Sequence, residues 1–213
     1  MIVRLGQYPA HARVSARRAT AIALVRHGQT DWNVQRRVQG STDVPLNATG
    51  RAQAAAAAER LAAEGSWHAV VSSPLARAAD TASLIADGLG LPAPEPVPAL
   101  AERRYGALEG LSTAERARLR SLSVYVRGLE SRSSVADRAI SALLGIAETH
   151  PGRSIVAVTH GGVIQAVLLH LGLPKPGSGA IANGSVHELR VVGDRVSFVW
   201  SEAYDDAEST GTG

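Results

Sequence analysis

Two short apolar runs in this chain each end at a histidine followed by glycine. Residues 21–25, Ala-Ile-Ala-Leu-Val, stop at Arg26-His27-Gly28, and residues 155–158, Ile-Val-Ala-Val, stop at Thr159-His160-Gly161-Gly162. Runs of this length, rich in branched residues and closed by polar groups and glycine, predict strands buried on both faces, as in parallel sheets. Parallel strands need long crossovers, usually helical. Chemistry in an open α/β sheet collects beyond the C-terminal ends of its strands. Two parallel neighbours would therefore bring His27 and His160 together, although 133 positions separate them.

The rest of the chain supplies the crossovers. Residues 31–47 predict a loop, with Asn33, Gly40, Asp43, Pro45 and Asn47 in no sustained period. Residues 48–64 predict an alanine-rich helix, capped by Asn47 or Thr49 and ended at Gly65. A short strand follows over 68–71. A helix over 75–88 is expected to take Pro74 into its first turn. Residues 91–98 alternate proline with apolar residues and suit a connector or edge strand. A charged loop spans 102–110, and helices are expected over 113–120, 134–150 and 163–171. Residues 185–191 and 195–200 alternate like a hairpin turning at Gly193-Asp194. The expected fold is a three-layer α/β/α sandwich with a mostly parallel central sheet. The expected organisation is an N-terminal extension over 1–20, one domain over 21–203 and a polar tail over 204–213.

Composition narrows the function. The 213 residues are 45% hydrophobic, enough for one sizeable core. The chain has no cysteine, which excludes disulfides, thiolate nucleophiles and Cys-based zinc sites. No apolar run is long enough for a membrane span and no secretory signal is apparent, so a cytoplasmic protein is expected. The net charge is +3, almost all from arginine, Lys175 being the only lysine. These arginines are scattered, with no basic aromatic stripe or recognition helix, so no nucleic-acid partner is expected. The seven histidines form no His-Glu-x-x-His pattern and no close pair with an acid, so no metal is expected.

The strand ends suggest an anion pocket. Glycine after each histidine lets backbone N–H groups approach a ligand, and a helix starting there adds its positive end. Arg26 beside His27, and Arg77 early in the helix after Ser72-Ser73-Pro74, offer guanidinium forks for phosphoryl oxygens. A histidine with one ring nitrogen tied to the backbone keeps the other as a nucleophile. Glu102, in the charged loop, is the best candidate acid. Asp31 and Asp43 fit better as loop hydrogen-bonding residues.

Five blocks in this order carry a resemblance. They are Arg26-His27-Gly28-Gln29-Thr30 with Trp32-Asn33; Arg37-Val38-Gln39-Gly40 through Gly50-Arg51-Ala52-Gln53-Ala54; Ser72-Ser73-Pro74-Leu75-Ala76-Arg77; Glu102-Arg103-Arg104-Tyr105 through Gly110; and Thr159-His160-Gly161-Gly162. Together they resemble the histidine phosphatase superfamily, which includes the cofactor-dependent phosphoglycerate mutases. The resemblance implies a phosphoglycerate mutase-like fold and hydrolysis of a small phosphorylated metabolite, with neither metal nor diffusible cofactor. It implies that His27 takes the phosphoryl group, that Arg26, Arg77 and His160 stabilise it, and that Glu102 protonates the leaving oxygen. Asn33, Gln39, Gly40, Arg103, Tyr105 and Gly161 are the implied substrate contacts. Arg103 and Tyr105 pull toward a mutase. The short stretch from Glu102 to His160, with Glu130-Ser131 and Arg138, pulls toward the phosphatase branch. A phosphoglycerate mutase and an inactive phosphate-binding protein are the alternatives. Arg116, Arg118, Arg120 and Arg127 are either surface arginines or a rim for a second anionic group. A homodimer is a further expectation, through the final strands or the apolar helix 163–171.

Overall fold

The structure, a computed structural model, describes residues 18–175 and 181–202. The expected extension, apart from residues 18–20, and the expected tail lie outside the described residues. Thr20, assigned above to the extension, opens the first strand.

A six-stranded sheet runs through the molecule. Its strands are β1 (Thr20–Arg26), β2 (Ala69–Ser72), β3 (Glu95–Pro96), β4 (Ser154–Thr159), β5 (Val186–Val192) and β6 (Arg195–Ser201), in the spatial order β3-β2-β4-β1-β5-β6. The first four in that order are mutually parallel, and β5 and β6 add antiparallel. The sheet is therefore mostly parallel, as expected. Pro96 explains why β3 is short and lies on the edge, since proline cannot donate to a ladder on both sides.

Alternation along the central strands builds a core on each face. Ile22, Leu24, Ile155 and Ala157 face α5 (Arg132–Thr149) and α6 (Gly161–His170). Ala23, Val25, Val156 and Val158 face α2 (Ala48–Glu64) and α3 (Ala76–Leu89). Helices thus cover both sides of the sheet, giving the α/β/α sandwich. Truncating a fully buried side chain such as Leu143 or Ile155 removes about 2–5 kcal/mol.

The chain departs from β1 toward one face and from β4 toward the other. The crevice between these neighbouring strand ends is the switch point at which open α/β sheets bind ligands.

Several boundaries differ from expectation for local reasons. Residues 31–34 form a single helical turn, α1 (Asp31–Val34), because Thr30 and Asn33 close a capping box. Pro74 stays outside α3, which starts at Ala76, one residue later than expected, where the Asp43 carboxylate accepts the Ala76 N–H. α5 starts at Arg132, capped by Ser131. α6 starts at Gly161, directly after His160, two residues before the apolar run. Helix α4 (Thr113–Ser121) carries a second capping box, Ser112 with Glu115. Among the described residues no helix is long and apolar enough to cross a membrane.

Candidate active site

Three parallel strands deliver three polar side chains to one point. β1 pairs with β4 so that Arg26 lies opposite Thr159, and the His27 N–H donates to the Thr159 carbonyl at 2.9 Å. The next residues, His27 and His160, therefore meet, with ring centroids 5.1 Å apart. β2 ends beside β4, and Ser73 just beyond it places Oγ 2.7 Å from His160 Nε2.

Hydrogen bonds set the tautomer of each ring. His27 Nδ1 lies 2.7 Å from the Gly28 carbonyl. A carbonyl only accepts, so Nδ1 carries the proton and Nε2 keeps its lone pair. Ser73 Oγ accepts the Leu75 N–H and its O–H can donate to His160 Nε2. In that arrangement His160 is protonated at Nδ1, which is buried and unpartnered. Burial pushes both histidines well below their usual pKa, and the Arg26 and Arg77 guanidiniums push in the same direction. Both rings are neutral at neutral pH.

The glycine after His27 is required by packing. A Cβ on Gly28 would lie 2.2 Å from the Gly50 carbonyl oxygen, and a Cβ on Gly50 would lie 2.1 Å from that of Gln29. The His27 loop and the first turn of α2 cross backbone to backbone. Thr81 Oγ1 accepts the Gly28 N–H and Gln53 accepts the Gln29 N–H, which pins the loop from both helices of that face.

The arginines are more deeply held than surface cations. Arg77 has no exposed surface; Nη1 and Nη2 donate to the Thr42 and Gly40 carbonyls, and Nε has no partner. Arg26 donates through Nη1 to the Ile181 carbonyl, and its Nε is also unpartnered. Burial lowers Arg26 to about 10, so it remains charged. A buried donor without a partner costs roughly 1–3 kcal/mol. Three such donors, on Arg26, Arg77 and His160, cluster around His27, and a phosphoryl group would satisfy them.

Glu102 faces this cluster across the α6 N-terminus. Its Oε2 accepts the Gly162 N–H at 3.3 Å and its Oε1 accepts the Arg103 N–H at 2.8 Å. Any side chain at position 162 would collide with it, since a Cβ there would lie 2.4 Å from Oε1. Burial raises the Glu102 pKa, and the Arg103 N–H and the Arg77 charge offset this only in part. The main chain that carries this carboxyl is held by Arg138, which donates to the carbonyls of Ala99, Ala101 and Glu102 and pairs with buried Glu130 at 2.9 Å. Glu109 staples the facing loop by accepting from Ser41, Thr42 and Tyr105.

One cavity of about 340 Å³ collects most of the expected residues: Arg26, His27, Asn33, Gln39, Gly40, Arg77, Glu102, Tyr105 and Gly161 all line it. His160 lies behind His27, fully buried. Arg103 lies in the adjoining cavity: its Nε donates to the Glu130 carbonyl and its guanidinium rests over the Tyr105 ring. Asp31 opens α1 and accepts from Asn47 Nδ2, while Asp43, in a loop, accepts the Ala76 N–H and lies 3.9 Å from Arg77 Nη1.

Sequence reasoning gave no role to Asn183, whose Nδ2 donates to the His27 carbonyl and to Asn33 Oδ1. A signal existed: β5 runs antiparallel to β1, so the Asn183-Gly184-Ser185 loop before it falls at the His27 end. Among the described residues no group of three or more His, Asp or Glu side chains converges as a metal site.

The geometry defines a phosphoryl-handling centre: two neutral histidines, a buried and a half-buried arginine and a carboxyl of raised pKa, at the switch point of an α/β/α sandwich. Residues 22–203 match the family model of the histidine phosphatase superfamily (branch 1), and the chain belongs to that family. It is an enzyme, a phosphomonoester phosphatase of the histidine phosphatase type. It is 41% identical to a metal-independent phosphoserine phosphatase of Arabidopsis thaliana, over 81% of this chain and 76% of the relative. It is 36% identical to a 2,3-bisphosphoglycerate-dependent phosphoglycerate mutase 2 of Gloeobacter violaceus, over 70% and 74%. A mycobacterial glucosyl-3-phosphoglycerate phosphatase, solved with VO3, superposes with a TM-score of 0.69 at 34% identity, covering 82% of this chain and 92% of that one.

Proposed function

We propose that the chain hydrolyses a small phosphomonoester without a metal, through a phosphohistidine on His27. The observation that carries this reading is the 2.7 Å bond from His27 Nδ1 to the Gly28 carbonyl, which leaves Nε2 unprotonated among unpartnered cationic donors. In the first step the Nε2 lone pair forms a bond to phosphorus. The bond from phosphorus to the ester oxygen breaks, and the Glu102 carboxyl gives that oxygen its proton. Arg26 Nε, Arg77 Nε and His160 Nδ1 receive the charge on the phosphoryl oxygens. In the second step the Glu102 carboxylate takes a proton from water. The water oxygen bonds to phosphorus, the P–N bond breaks, and inorganic phosphate leaves.

The test is phosphate release from p-nitrophenyl phosphate in EDTA, comparing wild type with His27→Ala, together with acid-quench detection of a labelled, acid-labile phosphoenzyme. Undiminished turnover in the variant refutes the nucleophile. The mutase reading draws support from Tyr105, which Arg103 and Arg116 flank at 5.3 and 5.8 Å. It requires phosphoryl transfer between carbons of phosphoglycerate and dependence on a bisphosphate primer, so inorganic phosphate as sole product excludes it.

A further inference from the structure

A second, larger cavity adjoins the first. It measures about 460 Å³ and shares Tyr105, Arg116, Gly162 and Gln165 with the catalytic cavity. Residues three and four apart share a helix face. Arg116, Leu119 and Arg120 on α4 accordingly turn to it together. Leu129, Val135 and Leu169 supply the apolar wall.

Four arginines line this space: Arg103, Arg116, Arg120 and Arg132. No aspartate or glutamate lines it, and none of the four lies within ion-pair distance of a carboxylate among the described residues. Arg118 and Arg127 do not line it. Glu115, the one acid on α4, is spent on the Ser112 cap at the helix start. A wall of leucines and valines beside uncompensated guanidiniums complements a molecule with an apolar body and an anionic end. A three-carbon leaving group would leave most of this volume unfilled.

Resting on the hydrolase reading, we propose that this cavity seats the alcohol half of the substrate. The alcohol carries an apolar body, and an anionic group on that body is received by Arg116, Arg120 and Arg132. The class is an amphipathic acid bearing one phosphomonoester.

The test compares kcat/KM for four probes: phenyl phosphate, 4-propylphenyl phosphate, 4-(2-carboxyethyl)phenyl phosphate and O-phosphoserine. The propyl ester is expected to exceed the phenyl ester by about 60-fold when all three carbons are buried, each contributing roughly 0.8 kcal/mol. The carboxyethyl ester is expected to exceed the propyl ester by about tenfold more, as a charge-assisted hydrogen bond gives. That second gain shrinks in high salt. Arg120→Ala reduces it to about threefold or less, while Arg118→Ala, on another face of the same helix, keeps it. The inference is overturned if Arg120→Ala leaves the carboxylate preference intact, or if O-phosphoserine is turned over as efficiently as the carboxyethyl ester. Equal turnover of all four overturns the inference alone. Failure of the wild-type enzyme to release phosphate from any of the four probes overturns the hydrolase reading and the inference with it.

Discussion

The sharpest consequence of the strand-end geometry concerns Ser73, a residue that never needs to touch substrate. Its Oγ lies 2.7 Å from His160 Nε2, placed to donate there, and accepts the Leu75 N–H. Ser73→Ala removes the one hydrogen-bond partner of the His160 ring among the described residues. The buried Nε2 loses its partner, at roughly 1–3 kcal/mol. Neither ring nitrogen then has a partner among the described residues, so both the tautomer and the orientation of the ring are released. The Nδ1 N–H is no longer fixed toward the phosphoryl oxygens. Losing one preorganised donor at a developing anion costs about 10²–10³-fold in kcat. The expected result is a kcat for p-nitrophenyl phosphate about 100-fold below wild type.

The same change weakens inhibition by vanadate by a comparable factor, because a transition-state mimic uses the same donor. Nitrogen NMR of the imidazoles reads the cause directly: the His160 proton is held at Nδ1 in wild type and exchanges between Nδ1 and Nε2 in the variant. A kcat within twofold of wild type, or a wild-type spectrum with the proton on Nε2, refutes the reasoning.

Three further outcomes follow from other parts of the site. Glu102→Gln lowers kcat on alkyl phosphates by about 10²–10⁴-fold; because burial raises the Glu102 pKa, wild-type activity falls as pH rises through that value, and a pH-rate profile of the variant lacks this alkaline limb. Gly50→Ala forces a Cβ to 2.1 Å from the Gln29 carbonyl, an overpacking worth about 1–3 kcal/mol; thermal melts are expected to fall by roughly 5–10 °C, with loss of activity through the displaced His27 loop. Burial lowers His187 from 6.5 to about 4, so the unfolded chain binds the extra proton first and stability is lost as pH falls from 6.5 toward 4. That loss approaches about 3 kcal/mol, and urea midpoints at pH 7.5 and 4.5 are expected to separate less in His187→Gln than in wild type.

The parts of the site legible in the sequence were those that announce themselves through local pattern. His27 and His160 closed apolar runs whose strands pair in register, so their meeting followed from topology. Arg77 and Glu102 were recognisable by their blocks. The roles of Arg138 and Asn183 were not legible, because both act on backbone carbonyls, of Ala99, Ala101 and Glu102 in one case and His27 in the other. A carbonyl leaves no trace in the identity of the residue that carries it. The start of α3 was misjudged for a related reason: its cap, Asp43, comes from 33 positions upstream. Arg103 was placed one cavity away because its guanidinium is drawn back by the Glu130 carbonyl and the Tyr105 ring.

Charge explains why these backbone clamps matter to the chemistry. With both histidines neutral, the cavity lining carries the positive charge of Arg26 and Arg77 against the Glu102 carboxyl, with Asp43 3.9 Å from Arg77 Nη1. A phosphomonoester dianion entering this space compensates the arginines and, as a like charge, raises the Glu102 pKa further. Substrate binding therefore favours the protonated carboxyl that the first step consumes. Departure of the alcohol leaves Glu102 as the carboxylate that the second step needs. One group serves both steps only if its position is independent of its charge. The two N–H groups of Arg103 and Gly162, and the Arg138 grip on the carbonyls either side, supply that independence from the main chain.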